Sequence, residues 1–259
     1  MEQQQQERED EAGIPRPRDA EPGRKPADPE PLDNPVFSAL STAHAAVARR
    51  QGRALRYPAD VSPFMALPSR PDGDDWLNLA LLARGDDVVF FAPPEHIPHH
   101  WEEVFQLKGM QMVDAGVGPA DDEGIVTLGP DDVPEMLDLT ARTKPGPFLP
   151  GTAKLGTYLG IRAEGALVAM AGERFRFPGG AEISAVCTSE DWRGRGLAAR
   201  LIRVLSARIR ERGDLPFLHV VAANRGAIRL YEKLGFATRT DTTVVGLRYT
   251  GNTPLPRPL

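Results

Sequence analysis

The sequence has little cysteine and no long hydrophobic run, and each shortage excludes a class of protein. A single cysteine among 259 residues, Cys187, excludes an internal disulfide framework and a metal cluster built on cysteine. No apolar run approaches the roughly 20 residues that a membrane-spanning helix needs. The first residues, MEQQQQERED, also lack the apolar core of a signal peptide. These features predict a cytoplasmic protein without a membrane partner.

The chain also lacks an excess of positive charge, since its formal net charge is −5. Nucleic-acid binding favours a basic surface that neutralises phosphates, so this balance argues against nucleic acid as a partner. Hydrophobic residues make up 41% and charged residues 26%, which is ordinary for a soluble globular protein. The length allows one large domain or two smaller ones.

Changes in composition divide the chain into four parts. Residues 1–33 are rich in glutamine, acids, arginine and proline, which predicts a disordered tail, and residues 251–259 predict a second loose tail. Residues 34–120 show an α/β texture without a catalytic motif. The histidines in its stretch EHIPHH flank Pro98, which interrupts any helix that would align them, so we expect a polar loop and no metal site.

Residues 121–250 show the clearest pattern. Tyr158–Arg162 and Leu167–Phe175 read as a hairpin, and a strand-helix-strand-helix-strand unit follows from Glu182. Hairpins followed by such a unit predict a mixed α/β fold, with a mostly antiparallel twisted sheet flanked by helices.

A glycine loop, SEDWRGRGLAAR (residues 189–200), joins a predicted strand to a predicted helix. Gly194, Gly196 and Ala199 satisfy the dinucleotide fingerprint G-x-G-x-x-A. That fingerprint needs an acidic residue at the end of the next strand, but the chain there reads FLHVVAAN and holds no carboxylate. The pattern therefore disfavours a nicotinamide dehydrogenase.

The same letters also fit R-x-x-G-x-A, a loop that wraps a pyrophosphate at a helix N-terminus. Unpaired backbone N–H groups and the helix dipole favour an anion there, and small residues at 194, 196 and 198 permit close approach. Arg193 and Arg195 can add positive charge. The plainer alternative is a glycine turn before an amphipathic helix with solvated arginines.

A second motif follows the loop, Asn224 to Phe236, written NRGAIRLYEKLGF. Together the two stretches resemble the GNAT superfamily of acyl-CoA-dependent N-acyltransferases, in its R/Q-x-x-G-x-G/A and N-x-x-A-x-x-x-Y-x-x-x-G-F signatures, over about half the chain. SAVCT (184–188) and PFLHV (216–220) further resemble the glycine N-acyltransferase-like branch. That branch implies a degenerate acyltransferase-like shape for residues 34–120 and a catalytic domain at 121–250.

The resemblance implies an N-acetyltransferase that uses acetyl-CoA as acyl donor, an amine as acceptor and no metal, by direct attack in a ternary complex. A non-catalytic coenzyme-A-binding regulatory module is the alternative. The acceptor and the oligomeric state, a homodimer included, stay open. We expect the walls of the acceptor cleft to come from residues 145–148, the hairpins and the N-terminal half.

The resemblance also implies the residues of the site. Val186 to Thr188 would lie along the thioester, and the loop would hold the diphosphate. The predicted cofactor contacts are Val186, Cys187, Thr188, Arg193, Gly194, Arg195, Gly196, Leu197, Ala198, Ala199 and Asn224. Asn224 is also a natural helix cap, and Cys187 is better explained as a small buried residue than as a nucleophile.

Two side chains are candidates for proton transfer. Tyr231 would give a proton to the departing thiolate. Glu182 is the candidate base, since it resembles a glutamate at the matching offset in the histone-modifying branch. Strict alternation would place Glu182, Ser184, Val186 and Thr188 on one face. To serve well as a base, Glu182 would need burial to raise its pKa toward neutrality, or a water to relay the proton.

Overall fold

A computed structural model describes residues 31–119 and 121–251, which form a large sheet, a small sheet and five α-helices. The helices are α1 (Pro35–Ser41), α2 (Gly73–Ala83), α3 (Val133–Thr143), α4 (Leu197–Glu211) and α5 (Arg225–Leu234). Of the predicted tails, only the 3₁₀ turn Pro31–Asp33 and Gly251 lie within the described residues. Within that range, every helix is too short or too polar to cross a membrane.

Polar caps and glycine set the ends of the helices. The side chains of Asn34, Asp72 and Asn224 accept hydrogen bonds from first-turn N–H groups of α1, α2 and α5. Gly235 ends α5 with a left-handed φ of 106°. The sequence pattern predicts a helix over 225–234, with Asn224 as its cap and Gly235 as its end, and the structure confirms it. An alanine-rich pattern also predicts a helix from Pro35 to Arg49, but α1 ends at Ser41 and gives way to turns.

The strands divide between two sheets. Three short strands form the small sheet: β1 (Arg49–Gln51), β2 (Ala54–Arg56) and β3 (Met65–Ala66). The other eight are β4 (Val88–Phe91), β5 (Trp101–Asp114), β6 (Ile125–Thr127), β7 (Tyr158–Ala163), β8 (Ala166–Phe177), β9 (Gly180–Thr188), β10 (Leu215–Val221) and β11 (Phe236–Tyr249).

The large sheet has the strand order β4-β11-β5-β10-β9-β8-β7-β6. Its β9–β10 pair is parallel and its other pairs are antiparallel, which confirms the predicted mixed, mostly antiparallel α/β fold. Strands β4 and β5 come from the region 34–120 and pair with β10 and β11 of the region 121–250. The two predicted regions therefore share one sheet.

The sheet has a hydrophobic core on each face. On β10, Leu218 packs with Leu201 and Leu205 of α4, whereas its neighbour Phe217 packs with Phe175 and with Leu40 of α1. Successive residues of a strand point to opposite faces, so α4 and α1 lie on opposite sides.

An opening in the sheet lies between β9 and β10. The two strands pair over residues 180–182 and 215–217 and then separate, since β10 continues against β5 while β9 continues against β8. In the described chain, no strand fills the gap beside residues 183–188. The glycine loop follows directly from the open end of β9.

Candidate active site

The glycine loop has the backbone shape of an anion site. A 3₁₀ turn, Glu190–Trp192, leads to Gly194 and Gly196, whose φ values are 77° and 75°. Glycine adopts this left-handed conformation without the steric cost that a side chain imposes. Helix α4 begins at once after Gly196, so the turn aims the start of the helix back toward the end of β9.

Six successive backbone N–H groups of the loop, residues 194–199, have no acceptor in the described part of the chain. The first N–H of α4 with a partner is that of Arg200, which donates to the Gly196 carbonyl at 3.1 Å. Free N–H groups at a helix start carry partial positive charge and bind phosphate or carboxylate oxygens.

The loop lines a shallow cleft of about 280 Å³. Its lining includes residues that the sequence predicts to contact the cofactor, and those contacts stay a prediction: Thr188, Arg193, Gly194, Gly196, Leu197, Ala198 and Ala199. Trp192 of the loop and Leu230 of α5, which the sequence reasoning did not select, complete it. The predicted Val186, Cys187, Arg195 and Asn224 lie outside this lining.

Two of these outlying side chains have local partners. Arg195 stacks 4.3 Å from the ring centroid of Trp192 and donates to the Asp191 carbonyl at 3.3 Å. Asn224 accepts a hydrogen bond from the Ala227 N–H at 3.1 Å and so caps α5. A cofactor contact by either side chain stays a prediction.

A β-bulge interrupts the alternation of β9. Met170 pairs with Cys187 and Gly172 with Ser184, so β9 has one residue more than β8 between these pairs, and Ala185 takes a φ of 52°. The expectation that Val186 and Thr188 share a face with Glu182 is therefore wrong. Val186 packs toward the α4 core, whereas Cys187 packs toward α3.

The thiol of Cys187 is buried, and burial is the main cause that raises its pKa. A high pKa and an apolar surrounding are the opposite of what activates a cysteine nucleophile. The structure therefore agrees with a small core residue at this position.

Glu182 is fully buried and ion-paired. Its Oε2 and Oε1 accept hydrogen bonds from Nε and Nη2 of Arg174, both at 2.7 Å, and Oε1 also accepts from Nδ1 of His219 at 2.7 Å. Burial alone would raise its pKa, but the charge of Arg174 and the hydrogen bonds from Arg174 and His219 outweigh burial and lower it to about 2. The first of the two conditions for a base, a pKa raised toward neutrality, is therefore not met.

His219 is held between Glu182 and an amide. Its Nε2 lies 3.1 Å from Nε2 of Gln111, which also donates to the Leu32 carbonyl at 2.8 Å. An amide nitrogen only donates, so His219 accepts at Nε2 and carries its hydrogen at Nδ1, facing Glu182. Both ring nitrogens are therefore engaged. His219 was not among the residues predicted for the site, since neither motif contains it.

Tyr231 lies on α5 in the core that faces α4 and is 9% exposed. Its ring meets Phe236 edge-on, with centroids 6.1 Å apart. Its hydroxyl has no hydrogen-bond partner in the described chain. Burial, helped by the charge of Glu182, raises the pKa of Tyr231 to about 12. The phenol therefore keeps its proton at neutral pH.

A second, mostly apolar cleft of about 250 Å³ lies at β4, β5, β10 and β11. It is lined in part by Phe64, Phe91, Val221 and Val244, with Arg174 and His219 among them. Pro145, Gly146 and Pro147 form part of its wall, and their place in an acceptor cleft stays a prediction. Phe148 instead packs against Tyr158, with ring centroids 5.5 Å apart. Among the described residues, no group of three or more His, Cys, Asp or Glu could hold a metal ion.

Known proteins share this fold and part of this sequence. The model of the FR47-like protein family matches residues 158–245. A crystal structure assigned as an acetyltransferase from the GNAT family of Novosphingobium aromaticivorans DSM 12444 is 40% identical and has a TM-score of 0.78. The match covers 86% of this chain and 100% of that one. No curated protein matches the chain.

More distant structures share the fold alone. A GCN5-related N-acetyltransferase from Kribbella flavida is 20% identical, with a TM-score of 0.56 over 85% of this chain and 96% of its own. A GCN5-related N-acetyltransferase-like protein from Streptococcus suis 89/1591 is 16% identical, with a TM-score of 0.50 over 81% of this chain and 92% of its own. The 40% identity over the full length of the Novosphingobium protein, together with the glycine loop at the open end of β9, shows that the chain belongs to the GNAT family.

Proposed function

We propose that this protein is an acyl-CoA-dependent N-acyltransferase that uses acetyl-CoA and transfers the acetyl group directly to an amine in a ternary complex. The observation that carries the proposal is the run of free N–H groups at residues 194–199, beside the open end of β9. These groups would bind the diphosphate of coenzyme A. Gly194, Gly196 and Ala198 leave the main chain accessible, and Arg193 adds positive charge at the same cleft.

The thioester would lie along the free edge of β9. Beyond Glu182 this edge has no partner strand in the described chain, and a bulge at Ala185 changes its direction. Val186, Cys187 and Thr188 would contact the donor through their main chain, since Val186 and Cys187 point their side chains into cores. A main-chain N–H aimed at a developing oxyanion contributes about 2.7–4 kcal/mol in other enzymes.

The reaction forms a C–N bond and breaks the C–S bond of the thioester. The attacking amine must first lose a proton, since an amine of pKa near ~10 is mostly charged at neutral pH. After attack, the nitrogen loses a second proton and the departing sulfur gains one. The products are the amide and the free thiol of coenzyme A.

Tyr231 is the proposed donor to the departing sulfur. Its pKa of about 12 lies above the value of ~8.5 for a cysteine-like thiol, so complete transfer to the free thiolate is uphill by about 5 kcal/mol. The phenol therefore acts as a hydrogen-bond donor while the C–S bond breaks, and the thiolate takes its final proton from water. Its free hydroxyl is available for this contact.

Glu182 is better suited to hold the site together than to act as its base. A carboxylate of pKa about 2 lies roughly 8 units below an ammonium group, which corresponds to about 11 kcal/mol for proton transfer. Its role as a base stays a prediction that this ion pair disfavours. We propose that it positions Arg174 and His219, and that the amine reacts from its neutral fraction after losing its proton to water.

A thiol-release assay with acetyl-CoA and a panel of amines tests the proposal, with mass spectrometry to identify an N-acetylated product. Amine-dependent thiol release with a matching acetylated product would support it. Coenzyme A binding without turnover on any amine would instead support a non-catalytic, coenzyme-A-binding regulatory module. The glycine N-acyltransferase-like branch predicts that simple amino acids belong in the panel.

A further inference from the structure

Arg174 has one nitrogen without a partner, although its residue is only 7% exposed. Nε and Nη2 donate to the two oxygens of Glu182, whereas Nη1 has no acceptor in the described chain. Protein atoms do not fully enclose Nη1, so it faces open space. The space that Arg174 lines is the apolar cleft.

The guanidinium is fixed in place by its surroundings. Its central carbon lies 5.1 Å from the ring centroids of both Phe64 and Phe91 and 4.5 Å from that of Phe175. Burial disfavours its charge, but the charge of Glu182 outweighs burial and raises the pKa of Arg174. A charged N–H donor in a rigid fork is thus aimed into a cleft with aromatic and aliphatic walls, which suits a carboxylate.

The charged side chains at this cleft favour the binding of one anion. Its lining includes two cations, Arg174 and Lys108, and no acidic side chain among the described residues. Glu182 behind Arg174 balances one of the two positive charges. The lining therefore keeps a net positive charge, which favours an anion, and the partner-free Nη1 of Arg174 is the donor that it would meet.

We propose that the amine acceptor is an amino acid with a large apolar side chain, whose carboxylate is bound by Nη1 of Arg174. This inference rests on the proposed function for the role of the amine. The apolar side chain would pack against Phe64, Phe91 and Val244. The cleft volume of about 250 Å³ lies below the usual range for ligand pockets, which favours a small molecule of this kind.

The placement of Arg174 also locates the amine. Its partner Glu182 lies at the last paired position of β9, where the gap between β9 and β10 opens. In an α-amino acid the amine is attached to the carbon next to the carboxylate. With the carboxylate on Arg174, the nitrogen therefore lies beside the gap that the thioester would enter.

Calorimetry without any acyl donor tests the contact between Arg174 and a ligand carboxylate, here called the anchor, independently of catalysis. The probes are 3-phenylpropionate and its uncharged analogue 3-phenylpropanamide. We expect the carboxylate to bind at least about tenfold more tightly, since charge-assisted hydrogen bonds are roughly twice as strong as neutral ones. Equal affinities, or no binding of the carboxylate at millimolar concentration, would overturn the proposal.

Variants at the rim of the cleft identify the anchor without breaking the Arg174–Glu182 pair. Val221 lines the cleft and is 46% exposed, so Val221→Glu adds a negative charge with little burial, and Val221→Gln is its neutral control. Val221→Glu should weaken 3-phenylpropionate binding several-fold more than Val221→Gln. Lys108→Ala should keep most of the affinity. Complete loss with Lys108→Ala would assign the anion to Lys108 and overturn the proposal.

A comparison of acceptors separates this inference from the proposed function. Phenylalanine should give a kcat/KM at least about tenfold above that of phenethylamine, which lacks the carboxylate. Equal turnover of the two amines would overturn the acceptor class and leave the acyltransferase standing. Preferential binding of 3-phenylpropionate in a protein that acetylates no amine would leave the anchor standing and remove the proposed function.

Discussion

Phe217 of β10 lies opposite Glu182 of β9 in the last register pair before the two strands separate. Glu182 therefore marks the point where the gap opens. Its side chain also contacts one residue on each of the two neighbouring strands. It binds Arg174 of β8 and His219 of β10, each through hydrogen bonds of 2.7 Å. One buried carboxylate thus connects three neighbouring strands at the centre of the site.

The charge of Glu182 should make the protein sensitive to acid. Its pKa falls from an ordinary 4.5 to about 2 on folding, so its contribution is fully present above pH 4.5 and is lost as the pH falls toward 2. The shift corresponds to about 3 kcal/mol of unfolding free energy. Urea unfolding between pH 7 and 2 would measure it, and Glu182→Gln should lose this part of the pH dependence. Parallel curves for the two proteins would contradict the assignment.

Removing the charge of Glu182 should also cost stability at neutral pH. Glu182→Gln leaves the buried guanidinium of Arg174 without a counter-ion, and such a loss costs about 3–5 kcal/mol. Asp138→Asn is the control, because Asp138 is 67% exposed in its pair with Arg142 and should cost less than about 0.5 kcal/mol. Chemical denaturation at pH 7 measures the unfolding free energy of both variants. Similar losses would contradict a larger contribution of the buried ion pair.

Tyr231→Phe should separate catalysis from folding. The ring keeps its contact with Phe236, and no hydrogen bond within the described chain is lost. The melting temperature and the affinity for coenzyme A should therefore stay unchanged, while kcat falls by about 10²–10³, as when one preorganised donor is removed in other enzymes. Steady-state kinetics and calorimetry on the same preparations would show this. An unchanged kcat would remove Tyr231 from the mechanism.

Gly196→Ala should weaken coenzyme A binding beyond its effect on stability. Gly196 and Gly213 both have left-handed φ values, 75° and 84°, and a Cβ at either meets nothing within 4 Å. Alanine should cost each position a similar amount, about 1–2 kcal/mol. Only at Gly196 does the new Cβ enter the space proposed for the diphosphate. Calorimetry with coenzyme A should show a loss with Gly196→Ala and little change with Gly213→Ala, and equal affinities would argue against this placement.

The sequence predicted most accurately the parts of the backbone that depend on neighbouring residues in the chain. The caps Asn224 and Gly235 and the pair of glycines in the loop specify their own backbone, so α5, the loop and the start of α4 lie where the motifs indicate. Strand β5 was missed because seven of its residues are exposed in a row, which hides any alternation. Its place in the sheet comes from pairing with β10 and β11, which lie more than 100 residues away.

The ion pair at the centre of the site depends on contacts that the sequence motifs do not contain. A base at Glu182 would need burial to raise its pKa, or a water to relay the proton, but Arg174 reverses the direction of the pKa shift. A signal was present, since an arginine within an apolar strand must find a partner when it is buried. The bulge at Ala185 shows the same limit, because one extra residue in β9 invalidates a face assignment based on strict alternation.

The most direct test of the account is the affinity of coenzyme A for variants of Ala198, measured by calorimetry. Ala198 lies in the first turn of α4 and lines the loop cleft, where a glutamate is compatible with the helix but repels an anion. We predict that the unaltered protein binds coenzyme A, that Ala198→Gln binds it more weakly because its side chain occupies part of the cleft, and that Ala198→Glu binds it at least about tenfold more weakly than Ala198→Gln. Equal affinity in Ala198→Glu and Ala198→Gln, or no binding by the unaltered protein, would contradict the claim that residues 194–199 hold the diphosphate.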